Sequence, residues 1–401
     1  MEREHDCSTC SDSVPTKRMP EWATLEGAGL AQAPMCSLAH RGSFCRDDCV
    51  TVQFCHFRHD NFKHHVLLLT GWDESFIKYG EVISDLLAAE CCVYTMDWRS
   101  QGLSGRHLLD PQLTYVKDFD DYLEDLRFFI DEVVLGACGV HPSSLTCMAH
   151  SMGGFIALKA VAEGWGGSRF QRLVTCSPMI KMKVGMPHFV ARGLAAMLCR
   201  LGWGESYAPG ESGVDVAKPI TTLLTTDKTR LAIQEKIRGI FPLVAMGGMS
   251  SRWVLEAIKA QDWFAKHNGN VDIPVLVLEA GIDTFVCTRR PFSKLCRLAK
   301  DCKRIRYPAT YHEIFFEKDW ARAHAINASI KFLKTGEGPE DQYLEILPPD
   351  EVKDWATRRR RLFGFLYTSF HHHAHSFYTV AIAAGVVIIV CAAAVRKRRD
   401  R

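Results

Sequence analysis

Short apolar runs alternate along the chain with longer stretches whose hydrophobic positions recur at helical spacing. That rhythm predicts a parallel sheet with crossover helices. His65–Thr70, Cys92–Asp97, Leu145–His150, Leu173–Ser177, Pro274–Glu279 and Lys303–Tyr307 read as buried strands. Phe119, Tyr122, Leu123, Leu126, Ile130 and Val133 form the stripe of an amphipathic helix, a second helix is predicted from about Gly153, and Asp319 caps a last one toward Leu333. Between Ser177 and Asp272 the rhythm fails. This stretch holds Met179, Met182, Met186, Met197, Met246 and Met249 with Trp203 and Phe241, and it predicts a helical cap inserted into the sheet domain. Most of these side chains are expected to pack the cap onto the body, and flexible methionines also suit a surface that opens onto apolar ligands.

The expected organisation is therefore an extension over 1–38, expected to be disordered, a first part of the sheet domain over 39–177, the cap over 178–272 and a second part over 273–335. A linker with basic and His-rich runs (336–376), an apolar segment (377–395) and a basic end (396–401) follow. Hydrophobic residues at 47% and charged residues at 24% are ordinary for a globular chain and argue against general disorder. The net charge of +3 hides an asymmetry: residues 350–401 carry a net +6, which leaves the rest at −3. The basic character thus belongs to the tail and not to a nucleic-acid groove.

Phe377–Val395 is 19 residues without a charge, followed by Arg396-Lys-Arg-Arg399. At about 1.5 Å each these residues span roughly 28 Å, close to the thickness of a hydrocarbon core. With no hydrophobic signal at Met1–Cys10, the expectation is a single-pass tail anchor that leaves the body in the cytosol. Arg358–Arg361 on the other flank blur the orientation. His371, His372, His373 and His375 read as a polar spacer that gains charge below about pH 6.5. The 16 cysteines, several inside apolar runs (Cys92, Cys147, Cys176), read as free thiols of a reducing compartment. Cys7-x-x-Cys10, Cys45, Cys49, Cys55 and His56 complete no recognised metal spacing, so neither metal nor cofactor is expected.

Chemistry concentrates at Met148-Ala149-His150-Ser151-Met152-Gly153-Gly154, where a strand ends and a helix opens. This is the context of a nucleophile elbow, whose sharp turn needs tiny residues two before and two after the serine, here Ala149 and Gly153. A serine hydroxyl needs a base, and the base needs an orienting acid. Asp283 follows a Gly turn at the end of the Pro274–Glu279 strand, where ligand groups sit in such sheets. Glu279, on the strand itself, reads as structural. His312 lies on a loop after the last strand, whereas His150 in the elbow and His324 on the final helix read as structural. Two backbone amides should face the developing oxyanion: Met152, directly after the nucleophile, and Trp72 in the loop after the first strand, beside Thr70 and Gly71.

Four motifs together, Asp97-Trp-Arg-Ser-Gln-Gly-Leu-Ser-Gly-Arg106, Ala149-His-Ser-Met-Gly-Gly154, Ser177-Pro-Met179 and His312-Glu-Ile-Phe-Phe-Glu-Lys-Asp319, resemble the bacterial-type lysophospholipases of the monoacylglycerol lipase branch of the α/β hydrolases. The resemblance covers roughly residues 40–335. It implies the α/β-hydrolase fold, a mostly parallel central sheet with helices on both faces, and hydrolysis of a single fatty-acyl ester. Residue by residue, the family's triad falls on Ser151, Asp283 and His312 and its oxyanion amides on Trp72 and Met152. The expected partners are a single-acyl lipid (a lysophospholipid first, a monoacylglycerol second) and a membrane. Arg99, Arg106 or cap lysines are candidates to meet a phosphate. Acyl transfer to an acceptor other than water stays open. A tethered protein that kept the fold and lost catalysis is the reading from another class, against which the complete Ser, Asp and His set speaks. Epoxide and haloalkane chemistry is disfavoured because those relatives carry a carboxylate where this chain has Ser151, and no phosphate-cradling Gly loop follows a strand.

Overall fold

A computed structural model of the chain describes residues 17–347, apart from 19, 30–32, 47, 221–222 and 268–270. The expected membrane segment Phe377–Val395, the basic end, the His371–His375 run and the Cys7/Cys10 pair lie outside the described residues. Among the described residues no helix is long and apolar enough to cross a membrane.

Ten strands form one sheet: β1 (Lys17–Arg18), β2 (Ala39–Cys45), β3 (Thr51–Phe57), β4 (His64–Leu69), β5 (Cys91–Met96), β6 (Leu145–His150), β7 (Leu173–Cys176), β8 (Val275–Ala280), β9 (Cys302–Tyr307) and β10 (Tyr343–Glu345). Their order is β1-β2-β3-β5-β4-β6-β7-β8-β9-β10. The pairings from β1 to β5 are antiparallel and all later ones parallel. Every central strand is buried on both faces, which is why it reads as an unbroken apolar run. Along β4, Leu67 and Leu69 enter one core while Val66 and Leu68 enter the other; along β8, Val275 and Val277 oppose Leu276 and Leu278 in the same way. The helical stretch 120–137 and the helix Ser151–Ala162 cover the first face through Tyr122, Leu126, Phe155 and Ile156. The helices Gly80–Ala88 and Asp319–Thr335 cover the second through Val82, Leu86, Ala325 and Phe332.

The chain order reverses at β4, which lies between β5 and β6. The crevice beyond the carboxyl ends of β4 and β6 is therefore the switch point where such sheets hold ligands. Between β7 and β8 lie the helices His188–Arg200, Lys228–Ile240 and Ser251–Lys266. The last of these belongs to the body by its packing, since Trp253, Ala257, Ile258 and Phe264 share the core of Phe155.

Three expectations are corrected. Residues 17–38 are not without structure: β1 pairs with β2, and Pro20–Gly27 and Ala33–Leu38 are helices. These helices of 8 and 6 residues are too short to show an amphipathic period; Leu25 of the first and Met35, Cys36 and Leu38 of the second pack on the second core. The stretch beyond Thr335 likewise supplies β10, which extends the sheet along β9. Finally, the cysteines are not all free, because Cys296 and Cys302 form a disulfide. The two lie only 6 residues apart across a helix-to-strand turn, a proximity that spacing alone does not reveal.

Candidate active site

β6 delivers Ser151 to the carboxyl edge of the sheet, and the chain turns at once into the helix Ser151–Ala162. Ser151 has φ of 46°, in the left-handed region that costs an L-residue strain and is held only by its surroundings. The turn is crowded. Ala149 is fully buried, and a Cβ on Gly153 would press into the carbonyl oxygen of Thr70 and lie 3.0 Å from the Cβ of Leu69. Gly153→Ala is expected to destabilise the protein by about 1–3 kcal/mol, because the obstruction is backbone that cannot swing aside. Chemical denaturation checks this, and a midpoint equal to the wild type's would remove the steric argument.

The loop after β9 brings the His312 ring to the serine. The Ser151 hydroxyl donates to Nε2 of His312 at 2.9 Å, and Nδ1–H of His312 donates to Oδ2 of Asp283 at 2.6 Å. The other carboxylate oxygen of Asp283 accepts the backbone N–H groups of Phe285 and Val286, each at 2.8 Å. All three side chains are buried. Burial by itself disfavours the imidazolium of His312, but the Asp283 charge and hydrogen bond outweigh it and raise the group above its ordinary 6.5. Burial works against the Asp283 carboxylate too. The His312 contact and the two amides overcome it and hold Asp283 below its ordinary range.

The loop after β4 packs against the elbow, where a Cβ on Gly71 would lie 3.2 Å from that of Ser151. The amides flanking Trp72 are occupied: Gly71 N–H donates to Glu74 and Asp73 N–H to Gln101 at 2.9 Å. Among the described residues the N–H groups of Trp72 and Met152 donate to no protein acceptor. Met152 also stands in the first turn of its helix, where free amides and the dipole favour negative charge.

Above these groups opens a cavity of about 540 Å³. Ser151, His312 and Trp72 line it. The walls are Met179, Met182, Met186 and Met249, with Ala191, Leu194, Leu198, Trp253, Val254 and Phe285. Four of the six methionines singled out in the cap region thus face the cavity, while Met246 is fully buried elsewhere. The volume lies within the range of sites that hold one small molecule.

Other candidates fall away from the site. Glu279 faces Arg304 at 3.0 Å and Arg306 at 3.3 Å, and His324 meets the Tyr307 hydroxyl at 2.9 Å. Arg99, expected as a phosphate contact, is fully buried against Asp125 and Asp48; Arg106 is spent on the backbone carbonyls of Gly102, Ser104, Pro111 and Leu243. Neither is available to a ligand. The elbow's His150 is more than filler. Its Nδ1 meets Glu74 at 3.1 Å, and its Nε2 lies 3.4 Å from the His312 carbonyl.

Sequence reasoning missed the group behind it. The Lys78 ammonium donates to both Glu74 and Glu313 at 2.6 Å, Tyr79 donates to Glu74 at 2.6 Å, and Gln234 donates to Glu313 at 3.0 Å. This buried cluster ties together the Gly71–Trp72 loop, the elbow and the His312 loop. The available signal was a Glu and a Lys four apart after β4, a spacing shared by many surface helices.

Residues 60–319 match the Hydrolase_4 family, described as serine aminopeptidase, S33, and the chain belongs to that family. It is an α/β hydrolase. Among curated proteins, lysophospholipase L2 of Escherichia coli (strain K12) is 28% identical over 343 residues, 80% of this chain and 97% of that one. A probable lysophospholipase L2 of Haemophilus influenzae is 28% identical over 269 residues, 67% of this chain and 83% of that one. Among solved structures, a monoglyceride lipase from Saccharomyces cerevisiae aligns over 73% of this chain and 94% of its own, with a TM-score of 0.57 and 19% identity. A Paleococcus ferrophilus monoacylglycerol lipase aligns over 71% and 99%, with a TM-score of 0.55 and 21% identity. These two structures share the fold.

Proposed function

We propose that this protein hydrolyses the fatty-acyl ester of a lysophospholipid through an acyl-enzyme. The observation that carries the proposal is the Ser151–His312–Asp283 chain at 2.9 and 2.6 Å on the floor of a methionine-walled cavity. Ser151 Oγ attacks the ester carbonyl as His312 Nε2 takes its proton. The Trp72 and Met152 amides receive the oxyanion. The tetrahedral intermediate expels the glycerol oxygen, which takes the proton from His312. Water, deprotonated by His312, then releases the fatty acid. One acyl chain is the cargo that an apolar cavity of this size suits, and the curated relatives named above are called lysophospholipases. The anchor read from Phe377–Val395 completes the proposal, by keeping the body in the cytosol near a membrane-derived substrate; loss of membrane retention after alkaline washing of a chain lacking 377–401 tests it.

Monoacylglycerol is the second reading, and one observation favours it. Among the described residues the lysine or arginine on the cavity wall is Lys183, and its ammonium already donates to the Asp283 carbonyl at 2.6 Å. A phosphate would have to compete for it.

A fluorophosphonate probe should label Ser151, and turnover of lysophosphatidylcholine should exceed that of monoacylglycerol. The reverse ratio selects the second reading, and an unlabelled Ser151 in folded protein removes both. The pH dependence has a defined sign. His312 must be neutral to accept the proton, and its raised value puts the acid limb of kcat/KM above pH 6.5. Activity falls as pH drops through that limb. Asp283→Asn removes the charge that raises His312, so the limb of the residual activity should move to lower pH; an unmoved limb contradicts the assignment.

A further inference from the structure

Several cations of this protein are matched by carboxylates. Arg192 pairs with Asp262 at 2.8 Å, Arg230 with Glu81 and Asp319 at 2.7 Å, and Arg322 with Asp85 at 2.5 Å. One face is not. From Thr284 to Lys300 the chain carries five Lys or Arg and no Asp or Glu. The helix Arg289–Leu298 within this stretch buries Phe292, Leu295 and Cys296 and leaves Arg289, Arg290, Lys294 and Arg297 exposed. None of these four has a carboxylate within ion-pair distance among the described residues. Arg289 and Arg290 even stand in the first turn, where the helix dipole disfavours cations and where no acid compensates. Lys294 donates to the Ala265 carbonyl at 2.8 Å and Arg289 acts on Glu279 from a distance, but among the described residues no carboxylate pairs with this face.

The face adjoins the cavity. Met182 bridges Val286, Lys183 N–H donates to the Phe285 carbonyl at 2.7 Å, and Cys287 N–H donates to the Lys181 carbonyl at 2.8 Å. This ladder joins the loop that leads into the cationic helix to the segment that leads into the cap helix His188–Arg200. Lys183, Val184 and Met186 on one side and Thr284, Phe285 and Val286 on the other line the cavity. Lys181 is exposed beside them, and the cap helix starts with Phe189 at 78% and Val190 at 43% exposure. Uncompensated cations next to exposed apolar side chains are the pattern of a surface that lies on an anionic lipid interface. A nucleic-acid groove would supply the charge but leave Phe189 and Val190 without a role.

We infer that the helix Arg289–Leu298, with Lys181 and the start of the cap helix, docks the protein onto an anionic lipid surface with the cavity mouth turned toward the bilayer. The inference assumes, with the functional proposal, a lipid substrate, but it rests on a separate face. Each basic residue near an anionic leaflet strengthens binding by about fivefold, and screening reduces this.

The test compares the full chain with Lys181→Gln/Arg289→Gln/Arg290→Gln/Arg297→Gln, so that both proteins keep the same tail. Binding is measured by co-sedimentation with phosphatidylcholine vesicles, with and without phosphatidylserine. Turnover of a water-soluble short-chain ester is measured in parallel. The wild type should bind the phosphatidylserine vesicles at least about tenfold more tightly than the variant. The gap should close near 1 M salt, where the screening length shrinks to about 3 Å. Soluble-ester turnover should be equal. Equal binding of the two proteins to phosphatidylserine vesicles overturns the inference, as does a loss confined to RNA binding. Arg289→Gln/Arg290→Gln gives a milder second reading should the fourfold variant unfold. Absence of soluble-ester turnover in both proteins would sink the esterase proposal and leave the vesicle comparison to judge docking.

Discussion

Ser151→Gly and Ser151→Ala are each expected to lose about 10⁴-fold or more in kcat/KM for a monoacyl ester, and the glycine variant should be the more stable of the two by about 1 kcal/mol. Both lack the hydroxyl, so on the proposed mechanism both lose the nucleophile, and His312 and the oxyanion amides are left with little to assist. The variants differ in the backbone. At φ of 46° a Cβ meets the following carbonyl, and alanine keeps that cost while glycine does not. The site stores strain so that the hydroxyl stands clear of the sheet edge toward His312, a local exchange of stability for reactivity. Kinetics with lysophosphatidylcholine and denaturant titrations of the two variants test both halves. Turnover retained in either variant removes Ser151 from its role. Equal stabilities would mean that the turn is not strained.

The legible parts of this protein were those specified by neighbours in sequence. The strands from β4 to β9 announced themselves because both faces of each are buried, and the elbow because its strand, small residues and helix are contiguous. Asp283 and His312 were readable from one rule, that ligand groups gather at the carboxyl ends of parallel strands. What stayed hidden depends on distant partners. Nothing in the sequence around Glu313 points to its partner, and only the fold brings it to Lys78, 235 positions away. Arg99 and Arg106 looked like phosphate ligands because the residues that consume them, Asp125 and the Leu243 carbonyl, are remote in sequence. The helices at 20–38 failed to register because, at 8 and 6 residues, each is too short to display a periodic apolar face.

Lys78→Met should be among the most damaging substitutions outside the triad, with an expected loss of about 3–5 kcal/mol at neutral pH. The side chain of similar length fits, but it leaves Glu74 and Glu313 facing each other in a buried site. In the wild type, burial alone would raise Glu74; Lys78 and then His150 override it and hold Glu74 well below the ordinary carboxylate range. A depressed carboxylate contributes stability that is complete above the unfolded value near 4.3 and is lost as pH falls through the folded one. Without Lys78 the sign inverts. Burial then raises Glu74, so the variant's deficit is largest at neutral pH and shrinks as the pH approaches 5 and the carboxylates protonate. Denaturation of both proteins from pH 5 to 8 measures this, and a deficit constant across the range would mean that lost packing, not charge, is responsible. Activity should suffer as well, because Glu74 also accepts the Gly71 N–H and so fixes the loop that carries Trp72. Loosening a group that acts on the oxyanion lowers kcat more than it raises KM. Lys78→Met/Glu313→Gln, which removes one charge of each sign, should recover part of the stability; a double variant no better than Lys78→Met would show that the cluster does not act as a charge-balanced unit.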